Sequence, residues 1–331
     1  MTKPLLSICI PTYNRAEYLE KSLESLVSQP EFAQIEVVIS DNASTDNTEE
    51  VCRSYQKKYP NIVYFRNEEN IHDRNFPTAL MRANGIYRKL YNDNMIYLEN
   101  SICYLLNLIT SCMNDRPFLF FLHGRSGPKR IKNAERIEVK TLDELIAFTS
   151  HHFTWLSGFG FWEDDCRNLE VTFSQCDTHI WQTYKGLELA SSRRIVIFTK
   201  KMIEPQYVQK KDFSYGLYTV FFKNFLNMLD KYVKAGLISL ETIATVRKHM
   251  LYTLAGGWIG SVKNEKYADI GNEKNYMQLI FEDYKNESYF SNFLKWNFIF
   301  CILKSKYFCF LKKTIFWKRM RDLKNQWYCT K

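Results

Sequence analysis

The chain has 331 residues, 46% of them hydrophobic, with only 12 glycines and 8 prolines. That composition supplies a sizeable core and excludes disordered, low-complexity and collagen-like classes. The net charge of +9 sits at one end: residues 289–331 hold ten basic residues and one acidic residue, while the preceding 288 hold 35 of each sign. A basic tail on a neutral body points to local attraction to an anionic surface rather than to a basic fold. Nine cysteines without a Cys-x-x-Cys pair, and an apolar stretch before Pro11 too short for a signal-peptide core, predict reduced thiols and an intracellular chain. No segment reaches the roughly 18 uninterrupted apolar residues of a membrane span.

Residues 5–10 form a short apolar run ending at Pro11 and predict a buried strand. Leu19, Leu23, Leu26 and Val27 follow at helical spacing until Gln29-Pro30 stops them. Residues 35–40 predict a second strand. Asp46, with Glu49 three residues later, reads as a capping box opening a helix through Val51, Cys52, Tyr55 and Tyr59. A third strand is predicted over 62–65, a helix over 76–83 ending near Gly85, and a fourth strand over 86–91. Ile102, Leu105, Leu106, Ile109 and Met113 mark another helix, and 117–122 a further strand. Strands alternating with helices predict an α/β fold, with a mainly parallel sheet covered by helices on both faces.

Residues 123–212 are less regular. They contain a basic loop over 125–132, the aromatic stretch Phe153-Thr154-Trp155, and Phe159-Gly160-Phe161-Trp162. From Phe213 the pattern is helical, with Leu226, Leu229, Tyr232 and Val233 on one face. No Gly/Ser linker marks a boundary, so 1–122, 123–212 and 213–331 are expected as three regions of one continuous unit.

In open parallel sheets, ligands bind beyond the carboxyl ends of the strands. Three polar clusters are predicted there: Pro11-Thr12-Tyr13-Asn14-Arg15, Asp41-Asn42-Ala43-Ser44-Thr45-Asp46, and Asn92-Asp93-Asn94. The first turn is not the glycine-rich loop of a dinucleotide site, and no phosphate-cradling GxxxxGK[ST] occurs. Tyr13 and Arg15 offer an aromatic face and a cation instead, which suits a nucleoside diphosphate held by stacking and charge.

The run Ser7-Ile8-Cys9-Ile10-Pro11-Thr12-Tyr13-Asn14-Arg15, followed by Val37-Val38-Ile39-Ser40-Asp41-Asn42-Ala43-Ser44-Thr45-Asp46, resembles the opening of bacterial family 2 glycosyltransferases of the GT-A fold. Asn67-Glu68-Glu69-Asn70-Ile71 and Asp73-Arg74-Asn75-Phe76 resemble the abequosyltransferase-like branch, and Ala83-Asn84-Gly85-Ile86-Tyr87 the lead-in to the family's metal motif. The resemblance covers roughly residues 5–110 and implies a Rossmann-like sheet, with an acceptor-binding region after it; the helical C-terminal region rests on its pattern alone. It also implies a nucleotide-sugar donor, a divalent cation (Mn2+ or Mg2+), and inverting transfer to a glycan or lipid-linked glycan in surface-glycan synthesis.

Carried over by residue, the resemblance puts Thr12 and Tyr13, with Pro11 and Arg15 beside them, in the donor pocket. Asp41 would accept a hydrogen bond from the base edge with Asn42 adjoining, and Arg74 would lie near the diphosphate. Asp93 would be the surviving aspartate of the metal motif, flanked by Asn92 and by Asn94 as a second metal contact. The family usually shows two or three aspartates there. One carboxylate suffices where asparagine carbonyls, water and substrate phosphates complete the shell. The alternative is a catalytically lapsed nucleotide- or glycan-binding protein on the same fold. A sugar-phosphate nucleotidyltransferase would show a glycine-rich basic loop after the first strand, which Pro11–Arg15 is not.

The attacking hydroxyl needs a base on the opposite face of the sugar. Asp177, at the start of a predicted helix, is the candidate; an ordinary helix cap is the alternative, and Glu163-Asp164-Asp165 the next candidates. His179, two residues on, could orient the acceptor or be a satisfied surface residue. Trp155, Phe159, Phe161 and Trp162 could stack on an acceptor sugar or pack in the core. In the tail, 13 of 43 residues are aromatic among the cations, with Phe293, Trp296 and Phe300 on one helical face. That fits an interfacial helix on anionic lipid and a location peripheral to the inner face of the membrane, with core packing as the alternative and nucleic acid not expected.

Overall fold

The structure is a computed structural model and describes residues 3–129, 134–206, 215–263 and 275–295. Ten strands order the first part of the chain: β1 (Leu6–Thr12), β2 (Glu36–Asp41), β3 (Ile62–Arg66), β4 (Tyr87–Leu90), β5 (Met95–Tyr97), β6 (Phe118–Phe121), β7 (Arg136–Val139), β8 (Gly160–Trp162), β9 (Ile195–Phe198) and β10 (Ile203–Pro205). Between them run α1 (Ala16–Val27), α2 (Thr48–Lys58), α3 (Asn75–Arg82), α4 (Ser101–Ser111), α5 (Leu142–Thr149) and α6 (Trp181–Ala190). Later come α7 (Phe225–Lys234), α8 (Leu240–Met250), α9 (Gly256–Lys263) and α10 (Tyr276–Tyr284).

The main sheet has the order β3-β2-β1-β4-β8, with parallel pairing throughout except for β8, which runs antiparallel to β4. Alternation along the strands explains its two covered faces. Leu6, Ile8 and Ile10 of β1, with Val37 and Ile39 of β2, share one core with Leu19, Leu23 and Leu26 of α1 and Ile102, Leu105 and Ile109 of α4. The intervening positions face α3: Ser40 is bonded to Asn75 and Arg82. Gly85 is required where the chain re-enters the sheet, because a side chain there would collide with Ser7, whose hydroxyl instead accepts the Gly85 N–H at 2.8 Å.

Several expectations are corrected. The strand predicted at 117–122 is β6, but it lies in a separate three-stranded sheet, where it pairs with β9, and β9 in turn pairs with β7. Asp46 does not cap α2 with Glu49. Its Oδ1 accepts from Thr48 N–H and hydroxyl, its Oδ2 from Ala16 N–H, and Glu49 pairs with Arg53 and Arg66 instead. The buried face of α7 is Phe225, Met228 and Leu229 rather than Leu226, Tyr232 and Val233.

Contacts divide the described chain into two compact units, one of residues 3–125, 134–145 and 152–206, the other of 126–129, 146–151, 215–263 and 275–295. The second unit is helical and built on aromatic contacts: Tyr218 stacks on Phe222, which meets Trp258 and Tyr284, and Tyr252 meets Phe293 edge-on. Phe290 and Phe293, the first part of the predicted tail, are buried in this unit. Trp296, Phe300 and the rest of the tail lie outside the described residues.

Candidate active site

The ends of β1 and β2 and the turn after β4 converge on one polar edge. Thr12 and Asp41 are register partners, and the Asn42 N–H donates to the Thr12 carbonyl at 2.9 Å. Pro11 lies one residue earlier in β1, opposite Ser40. Across to the β4 side, the buried Thr12 hydroxyl donates to Asp93 Oδ2 at 2.9 Å, and an Arg15 guanidinium nitrogen lies 4.0 Å from Asp93 Oδ1. The two loops are zipped together by Asn14, which holds a positive φ of 51°: its N–H donates to Ser44 Oγ, and its Oδ1 accepts from Thr45 N–H. An asparagine tolerates that conformation better than most side chains. Tyr13, between Thr12 and Asn14, is 42% exposed at this edge, an aromatic residue available for stacking.

Asp41 departs from its expected role as an acceptor presented to a nucleotide base. It has no exposed surface, and its carboxylate already accepts the Ser44 N–H (3.0 Å), the Ser44 hydroxyl (2.5 Å) and the Tyr64 hydroxyl (2.7 Å). Its geometry is first that of a brace holding the β2 turn, in which Ala43 is forced to a φ of +62°. Removing a charged acceptor from buried donors costs about 1–3 kcal/mol per group. Asp41→Ala is therefore expected to lower folding stability by about 2–4 kcal/mol, measured by denaturant unfolding. A variant as stable as the wild type would mean that the carboxylate is free for a ligand.

Asn42 is also built into the frame. Its amide donates to Asn70 and to the His72 carbonyl, and its Oδ1 accepts from Asn67 and from Ile71 N–H. It thereby fixes the short helical turn His72–Arg74 beside the end of β2. The sequence reading missed this network, which extends through Asn67 and Asn75 to Ser40 and Arg82.

Asp93 is buried, which pushes its carboxyl pKa up against the opposing pull of Arg15 and the Thr12 hydroxyl. Its neighbour Asn92 is held by Ser157, in the segment that leads into β8. The Ser157 hydroxyl donates to Asn92 Oδ1 at 2.6 Å and accepts the Asn92 N–H at 3.0 Å. Ser157 is in turn clamped through its carbonyl by His123 Nε2–H and by the ammonium of Lys89, which also reaches the carbonyls of Leu90 and Phe159. Burial pushes the Lys89 pKa well down, and three backbone carbonyls accept its N–H groups. Asn94 is buried beside Asp93.

Among the described residues, no group of three or more His, Cys, Asp or Glu is placed to hold a metal. The donor set of Asp93 and asparagine amides is nevertheless hard oxygen, fitting a divalent cation completed by substrate phosphates rather than a closed protein cage. A buried, part-compensated carboxylate also favours an added positive charge.

Asp177 is exposed near the end of the 3-10 stretch Leu169–Thr178, not at the start of a helix; α6 begins four residues later. Among the described residues no hydrogen bond or ion pair joins it to Thr12, Arg15 or Asp93. Its segment is nonetheless tied to the donor-side turn, because His179 Nδ1 lies 3.0 Å from Asp73 Oδ2, a partner that raises the His179 pKa. Arg74 rests on the Phe173 ring of the same stretch. The acidic run is spent elsewhere: Glu163 on Lys3 and Arg116, Asp164 on Arg116 and Arg167, and Asp165 on a two-pronged pair with Arg193. Of the aromatic candidates, Phe159, Phe161 and Trp162 are core residues, and Trp155 is half-buried.

Residues 7–162 match the family model described as Glycosyl transferase family 2. Abequosyltransferase RfbV of Salmonella typhimurium is 37% identical over 154 residues, 44% of this chain and 45% of that protein. The GalNAc(5)-diNAcBac-PP-undecaprenol beta-1,3-glucosyltransferase of Campylobacter jejuni is 31% identical over 105 residues, 31% of this chain and 34% of that protein. The chain thus matches under half the length of these relatives. Among solved structures, S. aureus TarS 1-349 in complex with UDP-GlcNAc superposes with a TM-score of 0.51 at 18% identity, covering 75% of this chain and 71% of that one. The mannosyltransferase PcManGT of Pyrobaculum calidifontis, in complex with GDP-Man and Mn2+, does so with a TM-score of 0.52 at 15% identity, over 80% and 76%. These similarities show the GT-A fold.

Proposed function

We propose, from the match of residues 7–162 to the glycosyl transferase family 2 model, that the chain is an inverting glycosyltransferase of bacterial surface-glycan synthesis. It would move a sugar from a nucleoside-diphosphate sugar to a hydroxyl of a glycan or lipid-linked glycan. The observation that carries this reading is the convergence of Thr12, Arg15 and Asp93 at the meeting of three strand ends. The names of the relatives, one an abequosyltransferase and one a glucosyltransferase of an undecaprenol-linked glycan, support a sugar donor and a lipid-linked acceptor.

In this reading Tyr13 stacks on the nucleoside, while Pro11, Thr12, Asp41 and Asn42 shape the pocket around it. Arg15 and Arg74 face the diphosphate. Asp93, with Asn94 and the adjoining Asn92, would hold Mn2+ or Mg2+, which supplies neutralisation of the charge that builds on the leaving nucleoside diphosphate. Asp177 takes the acceptor's proton from the opposite face of the sugar. Residues 1–122 would serve the donor, 123–212 the acceptor, and 213–331 anchoring.

The test is a panel of nucleotide sugars screened for metal-dependent thermal stabilisation. A ligand at a hundredfold excess over Kd stabilises by about 2.7 kcal/mol. A donor that stabilises only with Mn2+ or Mg2+ is the expected result; no response to any donor would sink the reading.

No helix among the described residues is long and apolar enough to cross a membrane. The basic aromatic tail supports a peripheral attachment to the cytoplasmic face. Each Lys or Arg near an anionic leaflet contributes about 1 kcal/mol, screened by salt, whereas aromatic insertion is not. Co-sedimentation with anionic vesicles should weaken but persist at high salt, and should be lost on deleting 296–331. The cut falls at 296 because Phe290 and Phe293 belong to the core. A full chain that ignores such vesicles would refute the attachment.

A further inference from the structure

Among the described residues, Arg74 and Arg125 are the two arginines whose guanidinium meets no hydrogen-bond acceptor and no carboxylate. Each lies on an aromatic ring instead, Arg74 on Phe173 and Arg125 on Trp155, the latter at 3.4 Å from the ring centroid. The remaining described arginines are engaged, for example Arg193 with Asp165 and Arg82 with Ser40 and Asn67. With its carbon over the indole and no acceptor for its N–H groups among the described residues, the Arg125 guanidinium offers a planar fork for a carboxylate or phosphate. Burial without a counter-charge lowers the Arg125 pKa to about 10, a cost that an anion would relieve.

The position of Arg125 follows from topology. Along the sheet edge, Asp41 ends β2 and Asp93 follows β4, with β1 between them. The next strand, β8, is antiparallel to β4, with Lys89 opposite Gly160, so the residues entering β8 lie beyond the carboxyl end of β4. These include Trp155 and Ser157. A contiguous series of contacts joins them to the metal turn: Arg125 on Trp155, Trp155 edge-on to His123 at 5.3 Å, His123 to the Ser157 carbonyl at 3.1 Å, and the Ser157 hydroxyl to Asn92. Arg125 therefore sits on the side of Asp93 away from Asp41, whereas Arg74 sits by Asn42 on the nucleotide side.

We propose that Arg125, stacked on Trp155, is an anion subsite for the acceptor, so that the acceptor glycan carries a carboxylate or phosphate close to the hydroxyl that is glycosylated. The inference rests on the glycosyltransferase reading for the word acceptor; the anion site itself rests on the geometry.

The test uses the full chain saturated with Mn2+ and a nucleoside diphosphate, UDP and GDP in parallel, so that the donor site is occupied. Methyl glucuronide and glucose 6-phosphate are titrated beside their neutral counterparts, methyl glucoside and glucose, by ligand-observed NMR. At least one acidic probe is expected to bind on the order of tenfold tighter than its neutral partner, and the better of the two identifies carboxylate or phosphate. Arg125→Gln should bring each pair within about twofold, and Arg125→Lys, which keeps charge but loses the planar fork, should retain part of the preference. Equal or absent binding of acidic and neutral probes to the wild type, or a preference that survives Arg125→Gln, would overturn the proposal. Circular dichroism melts establish that the variants fold. Failure of both nucleotides to bind would instead sink the glycosyltransferase reading, and the same titrations on nucleotide-free protein would still decide the anion site.

Discussion

Asp93→Ala is expected to abolish sugar transfer while leaving the protein folded. Asp93 is the one carboxylate of its turn, and both neighbours are uncharged amides. Stabilising the charge on a departing diphosphate is worth several kcal/mol, so its loss lowers the rate on the order of 10²–10⁴-fold. The fold should survive because burial already disfavours the ionised carboxylate, and the main loss is one hydrogen bond from Thr12. Two measurements decide the matter together: turnover against titrated Mn2+, and the denaturation midpoint. Thr12→Val separates the contributions, since it removes that hydrogen bond and keeps the carboxylate. Near-normal turnover in Asp93→Ala would take the metal away from this turn.

The alternating pattern of the first 115 residues was readable because β1 and β2 are buried along their whole length and are followed by polar turns. Strands β5, β8 and β10 span only three residues each, too few for a period to show. Site residues divide in the same way. Thr12 and Asp93 could be named from their turns, but their hydrogen bond spans 81 positions and only folding reveals it. Asp41 looked like a free acceptor because its donor Tyr64 stands 23 residues away on β3. Asp46 looked like half of a capping box with Glu49, whereas it is shared between Thr48, two residues on, and Ala16, 30 residues earlier.

Lys89 carries the same lesson in another form. A lysine inside a predicted buried strand is a local contradiction, and its resolution lies in carbonyls about seventy residues later, at Ser157 and Phe159. Such contradictions mark places where the fold supports a site. Here the supported residue is Asn92, next to Asp93. The tail was legible in charge but not in packing, since Phe290 and Phe293 are indistinguishable in sequence from the aromatics that follow them.

Asp177→Asn should cut turnover while sparing donor binding. The substitution keeps shape and polarity and removes the only property a base needs, a carboxylate able to take a proton. General-base catalysis contributes about 10²–10⁴-fold, which sets the expected loss. Glu163, Asp164 and Asp165, the next candidates, are held in ion pairs by Lys3, Arg116, Arg167 and Arg193. Asp177 is exposed, and the 3-10 stretch that carries it is fastened to the Asp73–Arg74 turn by His179. That fastening makes a control available. If His179 only positions the segment, His179→Gln should raise the acceptor KM more than it lowers kcat, whereas Asp177→Asn should lower kcat with the donor Kd unchanged. A fall in kcat of less than a few-fold in Asp177→Asn would remove it as the base; a loss of donor affinity would instead place its carboxylate against the diphosphate side of the site.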